Sequence, residues 1–166
     1  FLTFSAFGEP LVPFEQASFG NPEVRKSFLE EVSHLAELQP EYLVLGPELN
    51  FIQYFNPYEF DQFISLYQET YKAIKSVSPG TQVGTSYQYD FIRDTGNWSP
   101  IVAVGPHQDF IGFTTYFGAN IEKIYNNAFT SPLTVPSDYY VPIREKLGPD
   151  APIVITEVAW SSFLPE

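Results

Sequence analysis

The sequence has no cysteine and no methionine. Without thiols there is no disulfide framework, no thiolate zinc site and no cysteine nucleophile. Histidine is nearly as scarce. His34 and His107 are the only two, so a zinc site would depend on carboxylates, and no HExxH spacing occurs. Basic residues number eight against twenty acidic, and the formal net charge of −12 repels phosphate backbones and anionic membranes. Nucleic acid and membrane are therefore not expected partners. No apolar run reaches the roughly 18–20 residues that span a bilayer. Nothing at Phe1 onward reads as a charged segment followed by an apolar stretch and a cleavage site. Glycine-rich phosphate loops are missing, since neither GxGxxG nor a Walker pattern is present. Ser161 and Ser162 have no GxSxG setting. No metal and no organic cofactor is expected.

What is abundant is aromatic surface. Sixteen Phe, eleven Tyr and two Trp make up 17% of 166 residues, within a hydrophobic content of 44%. That composition belongs to a globular chain, and its length suggests a single domain over residues 1–166. Core packing can use most of these rings. Tyr and Trp also suit neutral ligands that offer apolar faces together with hydroxyls.

The chain alternates between two periodicities. "FLTFSAF" (Phe1 to Phe7) reads as a strand. "NPEVRKSFLEEVSHLAELQP" reads as a helix with Asn21 as N-cap, Pro22 at its first position, and Val24, Phe28, Val32 and Leu35 on one face. "EYLVLGPE" follows as a strand. A second helix begins at Asn56 and Pro57 and buries Phe60, Phe63, Ile64, Tyr67, Tyr71 and Ile74. Then come "TQVGTSYQYD" as a strand, a loop holding Trp98 and His107, and "DFIGFTTYF" as a strand. A short helical segment, limited by Pro142, precedes a last strand, "APIVITEVAW".

Strands alternating with helices predict an α/β fold with a parallel sheet, its strands buried on both faces. An open doubly wound sheet and a (β/α)8 TIM barrel both fit that pattern. The barrel is preferred because polar groups recur where strands end, the usual place for function in that fold: Glu48 and Asn50, Gln88 and Asp90, Tyr116, and Glu157. Five strands are too few to close a barrel of eight, so the chain reads as about strands 3 to 7 of one. The remainder of the barrel, or a partner chain, would cover the outer edges.

"YLVLGPELN", "AIKSVSPGTQV", "DFIGFTTYF" and "PIVITEVAW" together resemble glycoside hydrolase clan A, in particular the endo-β-1,4-galactanase group and its bacterial relatives. The resemblance runs from about Asn21 to Ser162. It implies a retaining glycoside hydrolase on a neutral β-linked polysaccharide or oligosaccharide, with Glu48 as acid/base and Glu157 as nucleophile. It implies too a secreted or periplasmic setting. Tyr116 matches the clan tyrosine that hydrogen-bonds the nucleophile, although a tyrosine here could equally serve the core. Trp160, three residues beyond Glu157, would stack on a sugar face or simply pack. Asn50 and Gln88 are expected to line the cleft. One position departs from the clan. Its members place Asn immediately before the acid/base Glu, whereas this chain has Pro47, which offers neither a side-chain hydrogen bond nor a backbone N–H. That substitution keeps open a catalytically inactive, carbohydrate-binding or scaffold relative of the same fold. Without the resemblance, the two Glu residues are simply acids at strand-to-loop junctions.

Overall fold

The computed structural model describes residues 17–117, 120–121, 125–126 and 132–160. Its elements, in chain order, are α1 (Pro22–Glu37), β1 (Tyr42–Val44), α2 (Leu49–Phe55), α3 (Pro57–Val77), β2 (Gln82–Gln88), α4 (Tyr89–Thr95), α5 (Ser99–Val104), β3 (Phe110–Phe117), β4 (Asn120–Ile121), β5 (Tyr125–Asn126), a 3-10 turn (Pro132–Thr134), α6 (Val141–Leu147) and β6 (Ile153–Trp160). The strand expected over Phe1–Phe7 lies outside the described residues. No described helix is long and apolar enough to cross a membrane.

The chain groups into two compact units, Phe1–Leu43 with Ile52–Thr81, and Val44–Phe51 with Gln82–Glu166. The first is helical. Asn21 caps α1 by accepting the Glu23 N–H at 2.9 Å, and Asn56 caps α3 by accepting that of Glu59 at 3.2 Å, each followed by Pro at the helix start. Phe60, Phe63, Tyr67 and Ile74 of α3 are buried as expected, joined by Leu66 and Thr70. In α1 only Val32 and Ala36 are fully buried, and Leu35 is left exposed. Phe63 meets Phe19 and Phe28 edge-on, and Arg25 reaches from α1 to Glu69 of α3 at 2.7 Å.

The second unit holds β2, β3 and β6, side by side in that order, and β2–β3 and β3–β6 are parallel. The α/β class and the parallel sheet are thus present. β2 and β3 are buried along nearly their whole length, as the apolar runs suggested, but β6 is not: Ile155 and Val158 are exposed. Among the described residues β6 has β3 as its one strand neighbour. Gly112 allows the close packing of β3, because a Cβ there would sit 2.8 Å from the Thr85 carbonyl and 2.9 Å from Thr156 Cγ2.

Two expected strands end early. β1 stops at Val44 rather than at Glu48, and β2 stops at Gln88, so Tyr89 and Asp90 open helix α4 instead of ending a strand. In both places a short helix follows the turn at once.

Candidate active site

Four side chains converge in the second unit. Glu48 follows the turn Leu45–Gly46–Pro47, where Leu45 still donates to the Gly84 carbonyl at 2.8 Å. Gly46 and Glu48 both have left-handed backbones, at φ of 72° and 53°. A left-handed Glu is strained, at a cost on the order of 1–2 kcal/mol. The turn directs its side chain to β3, where Thr114 Oγ1 donates to Glu48 Oε1 at 2.9 Å. Two residues on, along the same face of β3, the Tyr116 phenol is near enough to both Glu48 and Glu157 to interact with each.

Glu157 reaches that face through a β-bulge. Ile155 pairs with Phe113 and Glu157 with Thr114, so Thr156 is an extra residue in β6. Its Oγ1 donates to the Phe113 carbonyl at 3.2 Å. Side chains alternate along a strand, so in an unbroken ladder Glu157 would lie opposite Thr115, on the other face. The extra residue brings it opposite Thr114 and beside Tyr116.

Burial holds the Glu48 carboxyl above its ordinary value, and the negative charges of Glu157 and Asp90 add to this. Hydrogen bonds from Thr114 and Tyr116 work in the opposite direction without cancelling the rise. The Tyr116 phenol is pushed up by burial and by the two carboxylates it faces. The arrangement therefore places a carboxyl that keeps its proton to higher pH, Glu48, beside a second acidic side chain and a phenol.

The remaining expected contacts fall elsewhere. Asn50 is 2% exposed, and its amide is used on the Gln88 backbone: Nδ2 donates to the Gln88 carbonyl at 3.1 Å, and Oδ1 accepts the Gln88 N–H at 2.8 Å. Gln88 is fully buried. Its Oε1 caps α4 by accepting the Phe91 N–H at 2.6 Å, and its Nε2 donates to Asp90. Both side chains are thus engaged within the second unit. Trp160 pairs with Phe117 and stacks on it at 5.1 Å, on the face of the sheet opposite Glu157. His107 lies in the turn before β3, at the other end of that strand from Tyr116. His34 is exposed on α1, 3.4 Å from Glu37. Among the described residues no group of three or more His, Cys, Asp or Glu could hold a metal ion.

One contributor went unread in the sequence, and another was read in a different setting. Thr114 sits two positions before Tyr116, and strand alternation alone places both on one face. Asp90, expected at a strand end, is instead a fully buried acid whose carboxylate gathers donors from Thr115, Gln88, Tyr139 and the Tyr116 backbone.

No protein-family model matches the sequence, and no curated protein sequence matches it. The expected kinship with the galactanase group finds no support there. Among solved structures the chain is similar to a GH18 chitinase from Pseudoalteromonas aurantia, at 10% identity and a TM-score of 0.44. The likeness covers 85% of this chain and 66% of that one, so the chain spans just under two thirds of that protein's length. A likeness so slight bears on neither the fold nor the reaction of this chain.

Proposed function

We propose that the protein is a retaining glycoside hydrolase for neutral β-linked polysaccharides or oligosaccharides, built on a (β/α)8-type barrel. Glu48 is the acid/base and Glu157 the nucleophile. One observation carries the reading: a single phenol, Tyr116, interacts with both carboxyl groups, and burial raises the Glu48 titration. Retention calls for the two carboxyl groups about 5–5.5 Å apart, the separation at which one of them attacks directly.

In the first step the Glu48 carboxyl gives its proton to the glycosidic oxygen while Glu157 attacks the anomeric carbon. The bond to the leaving sugar breaks, and a glycosyl ester forms on Glu157. In the second step the Glu48 carboxylate takes a proton from water, whose oxygen displaces Glu157 from the anomeric carbon. Tyr116 holds Glu157 on the line of attack. The acidic surface disfavours anionic sugars, and no cofactor enters the scheme. This reading also needs further strands beside β1 and β6, from more of the barrel or from a partner chain.

Pro47 supports a second reading, a carbohydrate-binding relative without turnover, because the position before Glu48 offers the sugar 2-hydroxyl no donor. An activated aryl glycoside separates the two. Wild type should release the aryl alcohol, and Glu157→Ala should lose about 10⁴-fold or more, the scale of nucleophile removal in other covalent catalysts. If neither protein releases it while both bind oligosaccharide, the binding relative stands.

A further inference from the structure

The buried acid Asp90 takes no part in the scheme above, yet it is bonded to the strand that carries Tyr116. It opens α4 directly after β2 and is 0% exposed. Its Oδ2 accepts the Tyr116 backbone N–H at 3.1 Å and the Gln88 amide at 2.5 Å. Thr115 Oγ1 donates to Oδ1 at 3.1 Å, and the Tyr139 hydroxyl donates to the same oxygen. Tyr139 is itself held from two sides: the Tyr89 hydroxyl donates to its carbonyl at 2.6 Å, and the Arg93 guanidinium lies 4.5 Å over its ring. A buried carboxylate persists only when donors satisfy it, and here the donors come from the end of β2, from β3 and from the segment before α6. Those are the parts whose alignment decides where the Tyr116 hydroxyl lies.

We propose that Asp90 is a positioning residue for the Glu48–Glu157 pair: by holding the Tyr116 backbone and Thr115 against Tyr139, it sets the height of β3 at which one phenol reaches both carboxyl groups. It acts through Tyr116 and touches no substrate. The neutral isostere Asn replaces it only in part, because its amide keeps one acceptor oxygen and turns two donor hydrogens toward the Tyr116 N–H and the Gln88 amide, which can only donate.

Position and charge act on Glu48 with opposite signs, which makes the role separable. The groups facing Glu48 are Tyr116 from β3, Glu157 from β6 and Asp90 from α4, with Thr114 as a neutral donor. The Tyr116 bond lowers the Glu48 titration and the Asp90 charge raises it. Removing only a charge at Asp90 would therefore move Glu48 to lower pH. Losing the Tyr116 contact would move it to higher pH.

The proposal rests on the glycosidase reading only for the roles of Glu48 and Glu157, and its test does not need turnover. Carbon-13 NMR of protein labelled at Glu side-chain carboxyls, with Glu48 assigned through Glu48→Gln, gives the Glu48 titration directly. Asp90→Asn should shift it to higher pH, in the direction of Tyr116→Phe, and should add nothing further on the Tyr116→Phe background. A Glu48 midpoint that is unchanged or lower in folded Asp90→Asn overturns the proposal. Should that variant not fold, Tyr139→Phe decides by the same titration, with a smaller upward shift expected and no shift fatal. If wild type hydrolyses an aryl glycoside, kcat of Asp90→Asn should fall about tenfold with KM within twofold. If wild type is inactive and Glu48 still shifts upward, hydrolysis is refuted and the positioning role remains.

Discussion

The two units treat their carboxylates differently. In the helical unit, Glu59 is 4% exposed in the first turn of α3 and accepts from Ser18 Oγ at 2.6 Å and from the Phe19 N–H at 2.8 Å. Two separate donors and a helix N-terminus, which favours negative charge, leave nothing for a ligand to supply. In the sheet unit, Glu48 and Glu157 share one phenol between them, Glu48 stands on a left-handed backbone, and Glu157 needs an extra residue in its strand to face its partner. The first acid is spent on holding the fold. The second pair is held at some cost to local structure, with Glu48 half-buried and Glu157 exposed. On the proposed function, that contrast separates a structural acid from a functional pair.

The strongest way to break the comparison is to remove charge from the strained side. Glu48→Gln should reduce hydrolysis by about 10²–10⁴-fold, the usual worth of a positioned general acid. It should also raise stability at neutral pH. The folded state raises the Glu48 titration, so it favours the protonated form. The stability linked to that preference is complete below the ordinary Glu value and is lost as pH rises through the folded one. Urea unfolding should therefore find the variant equal to wild type near pH 4 and more stable at pH 7. A variant less stable at pH 7 would show that the acid serves the fold, like Glu59.

On the other side, Glu59→Gln should cost about 1–3 kcal/mol, since it turns an acceptor of two hydrogen bonds into a group that also brings donors. Its effect on aryl glycoside turnover, measured where both proteins are folded, should stay within twofold. Denaturant midpoints and initial rates on the same preparations check this. A rate loss larger than the stability loss explains would erase the distinction between the two units.

Both long helices were legible because their signals are local: Asn–Pro starts and a 3.6-residue apolar period need no knowledge of the rest of the chain. The central strands were legible from continuous apolar runs. What escaped was set by distant partners. Gln88 and Asn50 look like cleft residues because they stand at polar strand ends, but the Asn50 amide is used on the Gln88 backbone and the Gln88 amide on Phe91 and Asp90. The bulge at Thr156 leaves no mark in "PIVITEVAW", because the extra residue exists only relative to β3. The pairing of Glu48 with Glu157 was expected from a resemblance. The contacts that join them, through Thr114 and Tyr116, required the fold.

The smallest expected effect concerns Trp160, whose place after Glu157 suggested a sugar platform. Along β6 it falls on the face opposite Glu157 and stacks on Phe117, which in turn meets Tyr139 at 5.5 Å. Aromatic pairs of this kind contribute about 0.5–1.5 kcal/mol beyond their buried area. Trp160→Phe keeps a ring there, so the loss should be about 0.5 kcal/mol, seen in the denaturant midpoint, with KM for an oligosaccharide within twofold of wild type. An indole stacked on substrate would give the reverse, a tenfold or greater rise in KM with the midpoint unmoved. That result would place the cleft on the Phe117 face of the sheet, away from Tyr116, and the two carboxyl groups would then be no more available for chemistry than Glu59.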